Sequence, residues 1–226
     1  MILTKSKTLA DCHPEDLGDT LMQIAESLEI TFETGELDHI HTFGELCDHI
    51  IAKMKGNPTS DCTTQQAFYK IRNAFAETLN IDRKIITPES KLCDFLPVTT
   101  RREQLRKVEK QLGFKLFALE PPLWISLSLG LLFIYSLFKL IFHWQLGLAG
   151  IFGSLLLIAI ANRLGNVLSW DTMGEMADYL SKNNYIKMRR NPESFNPQEV
   201  KAVILHHFTD ILGIEESALQ PESPIR

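Results

Sequence analysis

A long apolar stretch dominates the pattern of polar and apolar positions along this chain. Residues 121–162 contain a single formally charged side chain, Lys139. The stretch is about twice as long as the roughly 20 residues that a helix needs to cross a bilayer. The pattern therefore predicts two transmembrane helices, over 123–142 and 146–164, joined by a polar and aromatic turn at 143–145.

Details of this hairpin favour insertion into a bilayer over burial in a soluble protein. Trp124 and Trp144 lie at the two ends of the first predicted helix, where amphipathic rings favour the membrane interface. Lys139 lies about a turn from the helix end, so its side chain can extend to the headgroups. A buried hairpin would need apolar flanking sequence to cover it, and the chain offers none. Three glycines give the second helix a small-residue packing surface: Gly147, Gly150 and Gly153.

Basic residues flank the hairpin on both sides, which predicts that both soluble parts face the cytoplasm. Six Lys or Arg side chains lie between Arg101 and Lys115, against two acidic ones. Segments next to transmembrane helices are enriched in Lys and Arg on the cytoplasmic side, and a hairpin returns the chain to the side it left. The N-terminal residues lack the apolar core of a cleaved signal, so we expect the hairpin to direct membrane targeting.

The soluble regions show the apolar period of amphipathic helices, which predicts an all-α fold. Thr42 with Glu45, and Thr172 with Glu175, match the capping box that begins a helix. Apolar side chains recur at helical spacing after each box, and again over residues 67–79 and 200–212.

Two segments of the soluble regions recur in the chain, which indicates a duplicated structural unit. TFGELCDHI at residues 42–50 returns as TMGEMADYL at residues 172–180. The helix and loop of residues 67–92 return at residues 200–225, where Pro88-Glu89-Ser90 aligns with Pro221-Glu222-Ser223.

These segments resemble the acyl carrier protein family. In that family the first helix leads into a loop similar to residues 86–90 (ITPES), the second helix ends in a pattern similar to 111–114 (QLGF), and the third begins in one similar to 172–176 (TMGEM). The resemblance implies two small helical carrier-like units, with the transmembrane hairpin inserted between the second and third helices of one of them.

The other unit would be assembled out of chain order. Residues 17–30 resemble a second helix and residues 42–52 a third, whereas the missing first helix matches only residues 200–212. Such a unit is either circularly permuted and closed within the chain, or completed between neighbouring chains; a truncated C-terminus is the remaining alternative.

The predicted segments are an N-terminal half-unit (1–56), the first and second helices of the middle unit (57–119), the hairpin (120–165), the third helix of the middle unit (166–190), and the helix and loop completing the half-unit in cis or in trans (191–226).

The serine that carries the prosthetic group in this family has no counterpart here. The resemblance implies a serine at the start of each second helix, where phosphopantetheine is attached, but the alignment places Pro14 and Val98 there. Thr99 and Thr100 carry hydroxyls and, directly ahead of Arg101, are expected to be helix N-caps. We therefore expect no phosphopantetheine and no other cofactor.

No other pattern favours an enzyme, a metal site or a nucleic-acid reader. His206 and His207 are adjacent on a predicted helix and cannot share a face, and His39 and His41 lack ligand or nucleophile spacing. The four cysteines show no CxxC spacing, which is typical of reduced thiols in a cytosol-facing protein. A net charge of -5 and a pI near 5.8 provide no basic face for phosphates.

Charge distinguishes the two predicted units. Residues 11–48 contain eleven acidic side chains and no Lys or Arg, whereas the second helix of the middle unit is basic. Opposite charges suit docking of one unit on another, within the chain or head to tail between chains. Basic side chains beside a bilayer would also attract anionic headgroups. The candidate interaction residues are Glu15, Asp16, Asp19, Glu26, Arg101, Arg102, Arg106, Lys107 and, on the shared apolar face of the 200–212 helix, Phe208.

Together these features predict a membrane-anchored, non-enzymatic interaction scaffold built from degenerate carrier-like units. Its expected partners are the bilayer and a protein, or a second copy of the chain, bound through the acidic and basic helices. Two alternatives stay open: a membrane-tethered acyl carrier with an unusual attachment site, and a membrane-acting effector whose hairpin inserts conditionally.

Overall fold

A computed structural model describes residues 8–9 and 12–225, and its regular structure is mostly helical, as the sequence predicts. Residues 1–7, where we expect no signal peptide, lie outside the described part. The helices are α1 (Pro14–Leu28), α2 (Phe43–Lys53), α3 (Thr63–Leu79), α4 (Leu92–Phe95), α5 (Arg101–Leu112), α6 (Leu123–Phe142), α7 (Trp144–Leu164), α8 (Met173–Asn183), α9 (Tyr185–Met188) and α10 (Pro197–Leu212). Two-residue strands form two small ladders: β1 (Asn57–Pro58) pairs in parallel with β4 (Ser194–Phe195), and β2 (Leu119–Glu120) pairs antiparallel with β3 (Val167–Leu168).

The apolar stretch forms a helical hairpin, α6 and α7, whose side chains face outward. Both helices are long and apolar enough to cross a membrane. In the apolar 18-residue segment of each helix, only 6% of the residues of α6 and 11% of those of α7 are buried. A core helix of a soluble protein would be mostly buried, so the exposure favours contact with lipid. The bounds of α6 match the prediction, whereas α7 begins at Trp144, earlier than predicted. The turn is shorter because the His143 N–H bonds the Lys139 carbonyl while the His143 carbonyl accepts from Gly147.

Small residues allow close packing of α6 against α7. A Cβ added at Gly147 would overlap the backbone of Leu140, and one at Gly150 would overlap the side chain of Ser136. Gly153 has open space around it, so the predicted glycine stripe is wrong at this position. Ser154, which is fully buried, is the next small residue after Gly150 that the hairpin encloses.

A leucine at position 150 should therefore separate the two hairpin helices. We expect Gly150→Leu to destabilise the hairpin by about 1–3 kcal/mol, the usual cost of overpacking. The measurement is the free energy of unfolding of the full chain in mixed micelles titrated with SDS. Gly153→Leu is the matched control and should change little, because its Cβ meets nothing within 4 Å. Equal losses in the two variants would contradict the packing described here.

The internal contacts divide the chain into two units. The terminal unit comprises residues 1–70 and 177–226, and the central unit comprises residues 71–176, including the hairpin. The division falls within α3 and within α8. Residues 57–70 and 177–190 thus belong to the terminal unit, whereas the sequence repeat assigns them to the middle one.

The core of the terminal unit joins the two ends of the chain. Helix α10 packs against α1 and α2, although α6 and α7 lie between them in sequence. Apolar side chains from all three helices form one buried cluster, because each helix has a single apolar stripe to cover. The largest of its fully buried aliphatic and aromatic side chains from these helices are Ile24, Leu28, Leu46, Ile50 and Phe208.

Backbone hydrogen bonds attach the loop after α10 to the start of α2. The N–H of Phe43 donates to the Ser223 carbonyl at 2.9 Å, and that of Gly44 donates to the Pro221 carbonyl at 2.8 Å. A Cβ at Gly44 would lie 2.9 Å from the Pro221 oxygen, so this approach requires glycine. The capping box predicted at Thr42 and Glu45 is confirmed.

The central unit contains the same arrangement between the loop after α3 and the start of α8. The N–H of Met173 donates to the Ser90 carbonyl at 3.0 Å, and that of Gly174 donates to the Pro88 carbonyl at 2.8 Å. A Cβ at Gly174 would lie 3.0 Å from the Pro88 oxygen. Thr172 and Glu175 exchange the predicted capping-box hydrogen bonds.

Candidate interaction sites

Helix α1 presents a row of acidic side chains on the terminal unit. Glu15, Asp16, Asp19 and Glu26 are all exposed. Glu15 and Asp16 lie in the first turn, where negative charge interacts favourably with the helix dipole. Among the residues that the structure describes, none of the four forms an ion pair, so their charge is available to an external cation.

An apolar groove runs beside this acidic row. It is lined by Leu21, Met22, Ile30, Phe32 and Leu37, with Glu26 on its edge. Met22 is 64% exposed, which is unusual for a large apolar side chain in the middle of a helix. Carboxylates around an exposed apolar strip form a surface that suits an amphipathic basic helix.

The positions aligned with the carrier serine lie at the starts of α1 and α5. Pro14 is the first residue of α1, where its missing N–H is tolerated and its ring supplies no hydroxyl. Val98 is 63% exposed and lies in the turn that precedes α5. Thr100 occupies the N-cap position of α5, but its hydroxyl makes no capping hydrogen bond, which corrects that part of the prediction.

The basic residues at the start of α5 bind the end of α7. Arg101 is buried; its guanidinium donates to the Leu96 carbonyl at 3.0 Å and to the Asn166 carbonyl at 2.6 Å. Arg102 is half-buried and donates to the carbonyls of Arg163 and Gly165, the latter at 2.6 Å. The last carbonyls of a helix lack intrahelical partners, and Arg102 satisfies that of Arg163 in the last turn of α7. Arg101 and Arg102 thus fix α5 to the hairpin and are structural residues rather than partner-facing ones.

The remaining candidates divide between surface and core. Arg106 and Lys107 are exposed, and Lys107 forms an ion pair with Glu103 at 2.7 Å. Phe208 is fully buried and contacts Phe43 edge to face, with ring centroids 5.4 Å apart. Phe208 therefore contributes to the core of the terminal unit and presents no surface to a partner.

A buried polar cluster around Arg189 was not predicted from the sequence. Its guanidinium donates to the hydroxyls of Thr59 and Thr63 at 2.8 and 2.6 Å, and to those of Ser194 and Tyr185 at 3.2 Å each. The Glu199 carboxylate lies 3.5 Å from the guanidinium and accepts the backbone N–H of Thr63 at 2.8 Å. This arrangement joins the start of α3 to α9 and α10. Both terminal nitrogens of the Arg189 guanidinium bind hydroxyls, whereas its buried Nε has no hydrogen-bond partner among the described residues.

Two groups of the terminal unit, Cys47 and Glu36, have strongly shifted pKa values. Burial raises the pKa of the Cys47 thiol to about 11, so the thiol stays protonated at neutral pH. Hydrogen bonds from Lys53, the Glu33 N–H and His49 lower the pKa of Glu36 to about 2. Across residues 8–9 and 12–225, no group of three His, Cys, Asp or Glu side chains could hold a metal ion.

His206 and His207 differ in environment, as adjacent helical residues should. His207 is buried, with its Nδ1 2.9 Å from the Val203 carbonyl, whereas His206 is half-buried. Burial lowers the pKa of both rings; Lys182 lowers that of His206 further, while Asp178 and Asp210 raise it. The folded terminal unit therefore favours neutral imidazoles.

This preference predicts that the terminal unit loses stability as the pH falls below about 6.5, the ordinary histidine pKa. The unfolded chain binds protons there while the folded chain resists them, so stability rises with pH through this window. We expect the melting temperature to fall between pH 7.5 and pH 5.5, measured by circular dichroism. His207→Gln should reduce this dependence. An identical pH dependence in the variant would show that His207 is not responsible.

Comparison of the chain with protein-family models, with curated protein sequences and with solved structures finds no match. By its structure, the chain is a mostly helical protein with two helices that are long and apolar enough to cross a membrane.

Proposed function

We propose that the chain is a membrane-anchored interaction scaffold, built from two degenerate acyl-carrier-like units, in which α1 is the docking helix. The observation that carries this proposal is the surface of α1, which presents four exposed carboxylates, one of which, Glu26, lines an apolar groove together with Met22. The proposed role is non-catalytic, which is supported by the protonated, buried thiol of Cys47 and by the four hydroxyls that bind the Arg189 guanidinium.

The carrier-like character of the units is supported by their matched internal contacts. In both, two carbonyls of a Pro-Glu-Ser loop accept hydrogen bonds from the first N–H groups of a Thr-x-Gly-Glu helix. Asn80 and Gly213, which close the helices before these loops, both adopt left-handed backbone with φ of +56° and +63°. These correspondences favour duplication of one unit over chance similarity of short motifs.

Pro14 distinguishes this proposal from an active acyl carrier. A phosphodiester requires a hydroxyl, and neither Pro14 nor Val98 has one. We expect an unchanged intact mass after co-expression with a broad-specificity phosphopantetheinyl transferase. A mass increase matching phosphopantetheine would favour the carrier alternative.

The proposed occupant of the α1 surface is α5 of a second copy of the chain. Arg106, Lys107 and Lys110 are exposed on α5, so the charges are complementary. The acidic and basic surfaces are different parts of the chain, so their contact is heterologous and builds a ring or a filament.

Both units would lie on the cytoplasmic side, since basic residues flank the hairpin at each end. The exposed Cys62 and Cys93 should then be protected from an impermeant maleimide in intact cells.

Charge exchange on the full chain tests this docking. Reversing Asp16, Asp19 and Glu26 to Lys should weaken self-association in detergent by about tenfold or more, as removal of complementary charge does. Reversing Arg106, Lys107 and Lys110 to Glu should do the same, and mixing the two variants should restore association. The matched control reverses three exposed acids elsewhere on the terminal unit: Glu215, Glu216 and Glu222. Equal weakening in the control, or a wild-type monomer at all concentrations, would refute the proposal.

A further inference from the structure

We infer that the central unit is itself immersed in the membrane interface through an apolar collar at the base of the hairpin. The apolar collar consists of Val98, Phe117 and Val167, which are 63%, 79% and 45% exposed. The inference rests on the proposed membrane insertion of α6 and α7, and it concerns a lipid-binding surface outside those helices.

Hydrogen bonds hold the collar at the points where the chain enters α6 and leaves α7. Val167 pairs with Glu120 in the β2–β3 ladder, directly before Pro121. The Asn166 side chain donates to the Val98 carbonyl at 2.8 Å, which joins Val98 to the same place. The Ala118 carbonyl accepts from Ser169 at 3.1 Å, so the ladder continues to the residue next to Phe117.

The backbone at Phe117 presents its ring outward at a conformational cost. Its φ is +51°, in the left-handed region that bulky side chains rarely adopt. The other described non-glycine residues with positive φ, Glu29 and Asn80, directly follow helices and close them. Phe117 closes no helix, since α5 already ends at Gly113. An exposed phenyl ring on an unfavourable backbone is a reason to expect a contact that stabilises it.

The position of the collar matches the depth of the membrane interface. Helix α6 has 20 residues, and at about 1.5 Å per residue it spans the roughly 30 Å hydrocarbon core. The boundary of the core then lies near Leu123 and Leu164, so the β2–β3 ladder lies in the headgroup region. Leu123 and Trp124 are also exposed, at 75% and 69%, which makes the collar continuous with the outward surface of the hairpin.

Charged side chains of both signs lie near the collar. Lys115 and Arg163 are exposed, and so are the acidic residues Asp94, Glu120 and Asp171. Aromatic rings with neighbouring basic side chains are typical of segments that lie in the interface. Another protein could cover the same apolar side chains, and the experiment below distinguishes the two.

Spin labels on the full chain in phosphatidylcholine–phosphatidylserine vesicles test the inference. Cys12, Cys62 and Cys93 are first replaced by Ser, the buried Cys47 is left in place, and one added cysteine at position 98, 117 or 167 then carries the label. Each label should collide more often with oxygen, which concentrates in lipid, than with a water-soluble nickel complex. Ile85, an exposed apolar residue of the same unit, is the matched control, and its label should favour the nickel complex. Because three positions are labelled separately, a local structural disturbance by one label does not decide the result.

A label at Leu131, exposed in the middle of α6, separates this inference from the proposed function. If position 131 favours oxygen while positions 98, 117 and 167 match position 85, the hairpin is inserted but the collar is not. If position 131 itself favours the nickel complex, the membrane anchor fails and the collar fails with it. Oxygen preference at 131 and at all three collar positions is the expected result.

Discussion

Replacing Phe208 with Asp should unfold the terminal unit while leaving the core of the central unit protected. Phe208 is fully buried among side chains of α1, α2 and α10, and truncation of a buried phenylalanine alone costs about 3–5 kcal/mol. A carboxylate in that position would also lack a partner, which adds to the loss. Domains of this size are stable by only about 5–15 kcal/mol. Amide exchange measured by mass spectrometry should therefore accelerate across α1 and α2 and remain slow in α5.

The sequence similarity of residues 67–79 to residues 200–212 supplies the matched variant. Phe75, which aligns with Phe208, is fully buried in the central unit. Phe75→Asp should produce the opposite pattern, with fast exchange in α5 and retained protection in α1. Unchanged exchange of α1 and α2 in Phe208→Asp would mean that α10 is not part of their core. Loss of wild-type protection on dilution would instead show that α10 is supplied by a neighbouring chain.

Replacing Arg189 with Met should destabilise the terminal unit by about 3–5 kcal/mol, the usual result of removing one partner from a buried ion pair. The Arg189 side chain is fully buried, and its loss would leave the hydroxyls of Thr59, Thr63 and Ser194 without their donor and Glu199 without its cation. The free energy of unfolding of the full chain is measured in urea. The rate of amide exchange across α10 is then measured as a second test.

The next residue provides the control for this prediction. Arg190 is exposed, so Arg190→Met should change the stability little. In the double variant Arg189→Met with Glu199→Gln, part of the loss should be recovered, because the uncompensated carboxylate is removed. Additive losses in the double variant would show that the two side chains are not coupled.

The elements that sequence predicted well are those with a local physical signal. The bounds of α6 follow from the apolar run, and both capping boxes follow from Thr and Glu three residues apart. The start of α7 was misplaced because composition shows where the apolar run is interrupted but not how few residues a turn needs. One residue suffices here, since the helix-end hydrogen bonds overlap at His143.

The polar contacts could not be predicted because their partners are distant in sequence. The hydroxyls that bind Arg189 come from residues 59, 63, 185 and 194, and none of them forms a recognisable motif. Arg101 and Arg102 looked like part of a solvated basic face, because charge patterning does not reveal backbone acceptors. The carbonyl of Arg163 in the last turn of α7 and those of Gly165 and Asn166 directly after it are such acceptors, and they bind both guanidinium groups. The acidic row on α1 was predictable, since its helical period and charge are both local.

The pairing of α1 and α2 with α10 also has a consequence for biosynthesis. A ribosome makes α1 and α2 first and α10 after the hairpin, so the terminal unit cannot complete its core until α10 has been translated. The apolar faces of α1 and α2 then stay uncovered while the central unit is synthesised, which exposes the nascent chain to aggregation. Engagement of a chaperone by the first helices, lasting until α10 emerges, would protect the chain during this interval.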